Sequence, residues 1–319
     1  MKVKEKPKPK YYGTVTPYPN FNASSDASIL QSAIESKKVD EDVIGAILAK
    51  RNNEQRQKIK AVYESSFGKN LVESLKPVLR SHLEDVVLAL LMPPAQFDAY
   101  LLRRATQGLG TDEDVLVEVL ATRSYAEIQE IKKVFKQEYQ KELEEVIKEE
   151  TGGDFTTALL AMLNTKRDQN TVVDMELAKR DAKILFEAGE GIGKANVSTF
   201  INILTTRSGP QLSKSESQES VDCWVSPGQT GGAAPTGDRV TPGNQNFQLK
   251  LHLVHFLPYQ GHGTSDQPLI RILVSRSEVD LQKVVEEYRA MFERTLHEDI
   301  LNDTKGHYQK VLLALCGPS

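Results

Sequence analysis

Apolar residues recur every three or four positions along much of the chain, which is the spacing of one face of an α-helix. Clear stretches of this pattern are residues 62–75, 134–147 and 285–300. Alternation with a period of two, which is typical of a strand, occurs in a short run at residues 247–253. The pattern predicts an all-α protein in which a strand at 247–253 would have no partner.

The helical pattern repeats with a period of about 70 residues. An aliphatic pair followed by arginine marks each unit, at residues 47–51, 119–123, 203–207 and 272–276. Three of the units also end in similar segments, at residues 82–91, 154–163 and 307–316. Helical spacing with a fixed period predicts an array of four helical repeats, each burying apolar faces within its own bundle and against its neighbours.

Two glycine-rich turns stand at equivalent places in the second and fourth repeats, Gly108–Thr111 and Gly261–Thr264. In both repeats 38 residues separate the threonine from a carboxylate, Glu150 or Asp303. Glycine lets the backbone turn tightly and direct several carbonyl oxygens into one concavity. Ca²⁺ takes six to eight oxygen ligands, including carbonyls and a bidentate carboxylate. The repeated spacing therefore predicts two calcium sites.

The threonine that ends each turn is also predicted to begin a helix. Thr111 precedes three acidic residues, and Thr264 forms a capping-box pattern with Gln267. The glycines could instead belong to ordinary interhelical turns, and for a single copy that interpretation would be preferred. Two copies with carboxylates at matched spacing favour the metal site.

The composition restricts the classes of function. The chain has 319 residues and a formal net charge of −4, which argues against nucleic-acid binding. Its two cysteines, Cys223 and Cys316, are far apart, which disfavours a disulfide scaffold or zinc site and suits a reducing compartment. The N-terminus lacks the apolar core of a signal peptide, and no apolar run approaches the roughly 20 residues that cross a bilayer. We therefore expect a cytoplasmic protein whose membrane role, if any, is peripheral.

Four segments resemble the annexin family closely: residues 17–22, 50–57, 108–114 and 269–278. The resemblance covers about residues 18–214 and 261–317. It implies four five-helix repeats in a curved disc whose convex face binds calcium and anionic phospholipid of the phosphatidylserine type. It also implies a non-enzymatic protein on the cytosolic face of membranes that inhibits phospholipase A2 by covering its lipid substrate.

The resemblance assigns calcium ligands repeat by repeat. In repeat one Lys38 stands where the family has glycine, and Val78 aligns with Glu150, so only a lesser site is expected there. Repeat three lacks the glycine–threonine pair. The ligands implied are main-chain carbonyls and one carboxylate in each repeat: Thr106, Gly108, Gly110 and Glu150 in repeat two; Tyr259, Gly261, Gly263 and Asp303 in repeat four; Lys38, Val39 and Glu41 in repeat one.

The helical pattern stops after Lys214, and residues 226–244 contain eight Gly or Pro among 19. Such a stretch cannot sustain helices. We expect that part of repeats three and four has been replaced, through retained intron sequence or a faulty gene model. The predicted division is a tail (1–22), repeat one (23–92), repeat two (93–164), a partial repeat three (165–212), an irregular insert (213–258) and a partial repeat four (259–319).

Other functions stay open at this point. Similar annexins bind an EF-hand partner through an amphipathic N-terminal helix, and the lysine-rich tail here shows no such helix, which argues against that partner. A calcium-independent helical scaffold, or a non-functional splice product, is the alternative to calcium-dependent lipid binding. Calcium dependence of lipid binding would separate these possibilities.

Overall fold

A computed structural model describes residues 11–108, 110–168, 170, 172–189, 197–212, 214–215 and 266–318. These residues form helices joined by loops, with no strand among them, which confirms the all-α prediction. The predicted strand at 247–253 and most of the predicted insert lie outside the described residues. The extent of the insert therefore stays a prediction.

Most of the helices are 8 to 15 residues long, and short loops connect many of them. In chain order they are α1 (Ala23–Glu35), α2 (Glu41–Ala49), α3 (Asn53–Phe67), α4 (Leu71–Leu75), α5 (Ser81–Leu91), α6 (Pro94–Ala105), α7 (Glu113–Thr122), α8 (Tyr125–Tyr139), α9 (Leu143–Glu150), α10 (Gly153–Asn164), α11 (Met175–Gly189), α12 (Val197–Thr206), α13 (Asp266–Arg276), α14 (Leu281–Phe292), α15 (Leu296–Asp303) and α16 (Gly306–Cys316).

The chain divides into two compact units. One consists of Met1–Phe97 with His252–Ser319, and the other of Asp98–Leu251. In the first unit α16 packs on α2 and α5, and α13 packs on α5 and α16. In the second unit α10 packs against α7, α8, α9 and α12. Each unit therefore brings helices from different predicted repeats together around a shared apolar core.

The long apolar stretches of the sequence each contain two helices rather than one. The chain turns at a residue in the left-handed region, Gly68 (φ 64°), Gln140 (φ 56°) or Glu293 (φ 56°), and then begins a shorter helix. In repeat two Phe135 lies before this break and Leu143 lies after it, and both are fully buried. The apolar spacing continues across the break because both helices face the same core.

The arginine that marks each repeat in the sequence forms an ion pair with an aspartate in three repeats. The pair is buried in repeats one and two, whereas the Arg207 side chain of repeat three is 26% exposed. In each pair the guanidinium binds both oxygens of an aspartate on the first helix of the same repeat: Arg51 with Asp26 at 2.7 and 2.9 Å, Arg123 with Asp98 at 2.7 and 2.8 Å, and Arg207 with Asp181 at 2.6 and 3.1 Å. Burial alone would lower the pKa of Arg123, but the charge of Asp98 and its hydrogen bond raise that pKa above its ordinary value. The pairs therefore keep charged groups inside the repeats by satisfying their hydrogen bonds.

Part of the predicted tail is bound to the first unit. The Thr14 amide donates to the Ser277 carbonyl at 2.8 Å, and the Gln282 amide donates to the Tyr12 carbonyl at 3.0 Å. The Thr14 hydroxyl donates to the Leu315 carbonyl at 2.5 Å. Residues 12–15 thus bind the loop between α13 and α14, the start of α14 and the end of α16.

Candidate metal centre

The loop between α6 and α7 is built on two glycines in the left-handed region. Gly108 has φ 107° and Gly110 has φ 94°, values that a residue with a Cβ rarely adopts. The loop is closed by a hydrogen bond of 2.8 Å from the Asp112 amide to the Ala105 carbonyl. A Cβ added at either glycine would meet no atom within 4 Å. The glycines are therefore required by the backbone conformation and not by crowding, and the space beside them is open.

Thr106 anchors the start of this loop. Its side chain is buried at 3% exposure, and its hydroxyl donates to the Leu102 carbonyl at 3.0 Å. This bond holds the residue against the last turn of α6, while its own carbonyl belongs to the loop that follows. Thr106, Gly108 and Gly110 thus lie within one short turn, as the sequence predicted, and Leu109 between them lies outside the described residues.

Glu150 is the last residue of α9 and is exposed. The helix ends there because Thr151 is extended, with both its amide and its hydroxyl bonded to the Ile147 carbonyl, at 3.0 and 2.6 Å. The Thr111 hydroxyl donates to the Glu150 carbonyl at 2.8 Å. This bond joins the glycine loop directly to the residue that the spacing pattern singled out.

One prediction for this loop is wrong. Asp112, and not Thr111, is the N-cap of α7, because its carboxylate accepts from the Val115 amide at 3.2 Å. Threonine and aspartate are both among the residue types preferred at an N-cap. Thr111 instead uses its hydroxyl for the long-range bond to Glu150, a partner that local sequence patterns cannot reveal.

The residues present fit a hard cation. Main-chain carbonyls and a carboxylate are the oxygen donors that Ca²⁺ takes, and the open space at Gly108 and Gly110 leaves room beside them. In the described part of the chain no group of three or more His, Cys, Asp or Glu side chains is placed to hold a metal. The predicted kind of site uses main-chain carbonyls with a single carboxylate and needs no such group.

The carboxylate side of the predicted site in repeat four has the same geometry. Asp303 is the last residue of α15, and the amide and hydroxyl of Thr304 both bond to the Ile300 carbonyl, at 3.1 and 2.6 Å. Three residues after the acid, Gly306 has φ 68°, which matches the φ of 61° at Gly153. The other predicted ligands of repeat four, Tyr259, Gly261 and Gly263, lie outside the described residues.

The loop of repeat one has the same length but a different backbone. It is closed by the Asp40 amide bonding to the Ala33 carbonyl at 3.1 Å, yet Ser36 has φ −58° and Lys38 is not in the left-handed region. The carbonyls of Lys38 and Val39 therefore lack the glycine-dependent turn that shapes the loop of repeat two.

The predicted carboxylate of repeat one lies near His307 of repeat four. A Glu41 oxygen lies 3.4 Å from Nε2 of His307, whose Nδ1 lies 2.7 Å from Asp42. Lys310 donates to both Asp42 oxygens, at 2.8 and 2.9 Å. Hydrogen bonds from Lys310 and then His307 lower the pKa of Asp42. This cluster links residues that are 265 or more apart in sequence, and the pattern along the chain contained no signal for it.

Helical repeats with a glycine loop beside an acidic helix end are typical of a class of calcium-binding repeat proteins. Comparison with known proteins identifies the family within that class. The annexin family model matches residues 25–90, 97–162 and 259–315. Annexin A1 of Homo sapiens is 44% identical over 313 residues, which are 95% of this chain and 89% of that protein. The chain belongs to the annexin family.

Solved structures show the same fold. Annexin III has 34% identity and a TM-score of 0.86, with 97% of this chain and 98% of that chain covered. A structure of calcium-bound annexin (Sm)1 has 25% identity and a TM-score of 0.79, with 97% and 93% covered. As a family, annexins bind phospholipid in a calcium-dependent manner. Within the described residues, no helix combines the length and apolar character needed to span a bilayer.

Proposed function

We propose that this chain binds anionic phospholipid surfaces in a calcium-dependent manner through the loop of repeat two. The carbonyls of Thr106, Gly108 and Gly110 and the carboxylate of Glu150 are the proposed ligands. The observation that carries the proposal is the open glycine loop bonded through Thr111 to the Glu150 carbonyl. That bond places an oxygen-rich turn beside an exposed acidic helix end, which is the donor set that Ca²⁺ prefers.

Charge at the site explains why a lipid headgroup would take part. Glu150 is the one acidic ligand proposed, and the carbonyls are neutral, so the site with Ca²⁺ bound carries a net positive charge. An oxygen of an anionic lipid phosphate can then complete the ligand shell. Since each ligand improves the site for the other, calcium and lipid binding are positively coupled.

Repeats four and one contribute less to the proposal. Asp303 stands at a helix end with the same geometry as Glu150, and we propose it as the carboxylate of a second site with the carbonyls of Tyr259, Gly261 and Gly263. In repeat one, Lys38, Val39 and Glu41 are proposed only as a weaker site. Binding of Ca²⁺ there would have to compete with His307 for Glu41.

We also propose that the chain binds at the cytosolic face of membranes rich in phosphatidylserine. A protein that coats such a surface withholds the lipid from soluble lipases, so inhibition of phospholipase A2 by substrate coverage is part of the proposal. No catalytic step is proposed for this chain.

The test is co-sedimentation of the purified chain with phosphatidylserine vesicles across a calcium titration and with excess chelator. Glu150→Gln keeps the shape of the side chain but removes its charge, and we expect it to raise the calcium concentration for half-binding at least tenfold. Glu149→Gln is the matched control, because Glu149 is an exposed neighbour that pairs with Lys141. A folded wild-type chain that never sediments with calcium would favour the calcium-independent scaffold instead.

A further inference from the structure

Thr111 makes a hydrogen bond that neither helix capping nor loop closure requires. Asp112 caps α7 and its amide closes the loop, so the Thr111 hydroxyl is available for another partner. That hydroxyl donates to the Glu150 carbonyl at 2.8 Å, across 39 positions of sequence. The carbonyl is one of the last four of α9, which have no donor within their own helix.

The bond has a mechanical consequence for the proposed site. Gly108 and Gly110 leave the loop free to adopt many conformations, since glycine has no Cβ to restrict it. Glu150 lies at a helix terminus and is exposed, so its backbone can also fray. A hydrogen bond between Thr111 and the Glu150 main chain fixes the distance between the two halves of the ligand set without occupying the carboxylate. The carboxylate stays available to a cation.

Repeat one offers a comparison within the same chain. Counting from the amide that closes each loop, Asp40 corresponds to Asp112 and Val39 to Thr111, while Val78 corresponds to Glu150. Valine can neither donate this hydrogen bond nor ligate a cation. The hydroxyl and the carboxylate are thus both present in repeat two and both missing in repeat one.

We propose that Thr111 is a positioning residue for the calcium site of repeat two, an inference that rests on the proposed function. Its hydroxyl holds the carbonyl loop at the distance from Glu150 that one cation can bridge. Loss of the hydroxyl removes one exposed hydrogen bond, which corresponds to a three- to tenfold weaker calcium affinity, roughly. The Thr111 side chain is not itself proposed as a ligand of the cation.

The experiment uses the full chain with Thr111→Val, which keeps the shape but removes the hydroxyl, and Thr111→Ser, which keeps the hydroxyl. Thr157→Val is the control, because the Thr157 hydroxyl also bonds a main-chain carbonyl, that of Gly153 at 3.3 Å, away from the loop. Calcium binding is measured by calorimetry without lipid and by the calcium titration with phosphatidylserine vesicles. Unfolding temperature is measured in chelator.

We expect Thr111→Val to raise the calcium concentration for half-binding about three- to tenfold, Thr111→Ser to stay near wild type, and both to unfold in chelator within about 3 °C of the wild-type temperature. If Thr111→Val titrates like wild type while Glu150→Gln loses binding, the positioning role is refuted and the proposed function stands. If Thr157→Val weakens binding as much as Thr111→Val, the effect is general destabilisation and the role is again refuted. If the wild-type chain binds no calcium, the proposed function itself fails.

Discussion

The Arg276 guanidinium binds both carboxylate oxygens of Asp280, at 2.7 and 2.6 Å, only four residues further along the chain. The corresponding arginines of the other repeats bind an aspartate 25 or 26 residues upstream. In repeat four those upstream positions are Leu251 and Lys250, which cannot accept such bonds. A local partner has therefore taken the place of the aspartate on the first helix.

This substitute pair is expected to stabilise repeat four. Asp280→Asn leaves the 6%-exposed Arg276 with a neutral partner, so we expect about 2 kcal/mol less local stability. The measurement is amide hydrogen exchange, which should be faster in α13 and α14 of Asp280→Asn than in the wild-type chain. Glu286→Gln, an exposed carboxylate on α14, is the control and should leave exchange unchanged. Equal exchange rates in both variants would contradict a stabilising role for the pair.

A serine in repeat one occupies a backbone conformation that glycine occupies in repeats two and four. Ser81 has φ 57°, while Gly153 and Gly306 at the corresponding positions have φ 61° and 68°. The left-handed region costs an L-residue roughly 1–2 kcal/mol, and part of this is offset by the greater freedom of glycine in the unfolded chain.

We therefore expect Ser81→Gly to stabilise the protein by about 0.5–1 kcal/mol and to raise its unfolding temperature by about 2 °C. The reverse change, Gly153→Ser, should destabilise by a similar amount, since a Cβ there meets no atom within 4 Å and only the backbone conformation matters. Differential scanning calorimetry measures both. A destabilising Ser81→Gly would mean that the serine side chain contributes more than its backbone conformation costs.

Arg56 is almost fully buried, and it joins groups that come from repeats one and four. Its Nε donates to the Leu48 carbonyl at 2.8 Å, and its Nη1 lies 3.4 Å from a Glu278 oxygen. Burial lowers the pKa of Arg56 to about 10, and Glu278 offsets only part of this effect. Burial likewise raises the pKa of Glu278, and Arg56 opposes that shift.

Since removing one member of a buried pair leaves the other uncompensated, we expect Arg56→Met to cost about 3 kcal/mol of stability. Adding Glu278→Met should then cost about 1–2 kcal/mol less than it does in the wild-type chain. Urea unfolding followed by circular dichroism measures this double-mutant cycle. A control cycle of Arg56→Met with Glu73→Met, an exposed residue paired with Lys76, should be additive. Additivity in both cycles would show that Arg56 and Glu278 are not coupled.

Cys316, the last residue of α16, is buried at 3% exposure, and burial raises its pKa from 9.0 to about 12. The thiolate is the reactive form, so we expect the native thiol to resist a disulfide reagent at pH 8 and to react at once in urea. A Cys223→Ser background isolates this thiol. Rapid native labelling would mean that α16 opens readily.

The raised pKa of Cys316 also makes the free energy of unfolding depend on pH. The folded pKa lies above the unfolded value, so the contribution of Cys316 is fully present below about pH 9 and is lost as pH rises towards 12. Comparing Cys316→Ser with the parent chain across this window isolates the thiol from other groups. A pH dependence that is identical in the two chains would contradict the linkage.

The division of the chain into repeats stays a prediction, and the insert is its least supported part. The annexin family model matches residues 25–90 and 97–162, which lie within the segments predicted as repeats one and two. That model leaves residues 163–258 unmatched, and the predicted insert at 213–258 falls within them. Sequencing the transcript across codons 208–264 would test whether that segment is genuine.

The sequence by itself determined the all-α repeat fold and the glycine loop of repeat two, because these depend on local periodicity and on residue chemistry. Only the tertiary structure decided which groups meet. The Thr111 hydroxyl bonds Glu150 rather than capping a helix, and Glu41 lies beside His307. Such partners depend on how helices that are tens or hundreds of residues apart in the sequence pack together. The order of side chains within one segment does not show which distant residues come into contact.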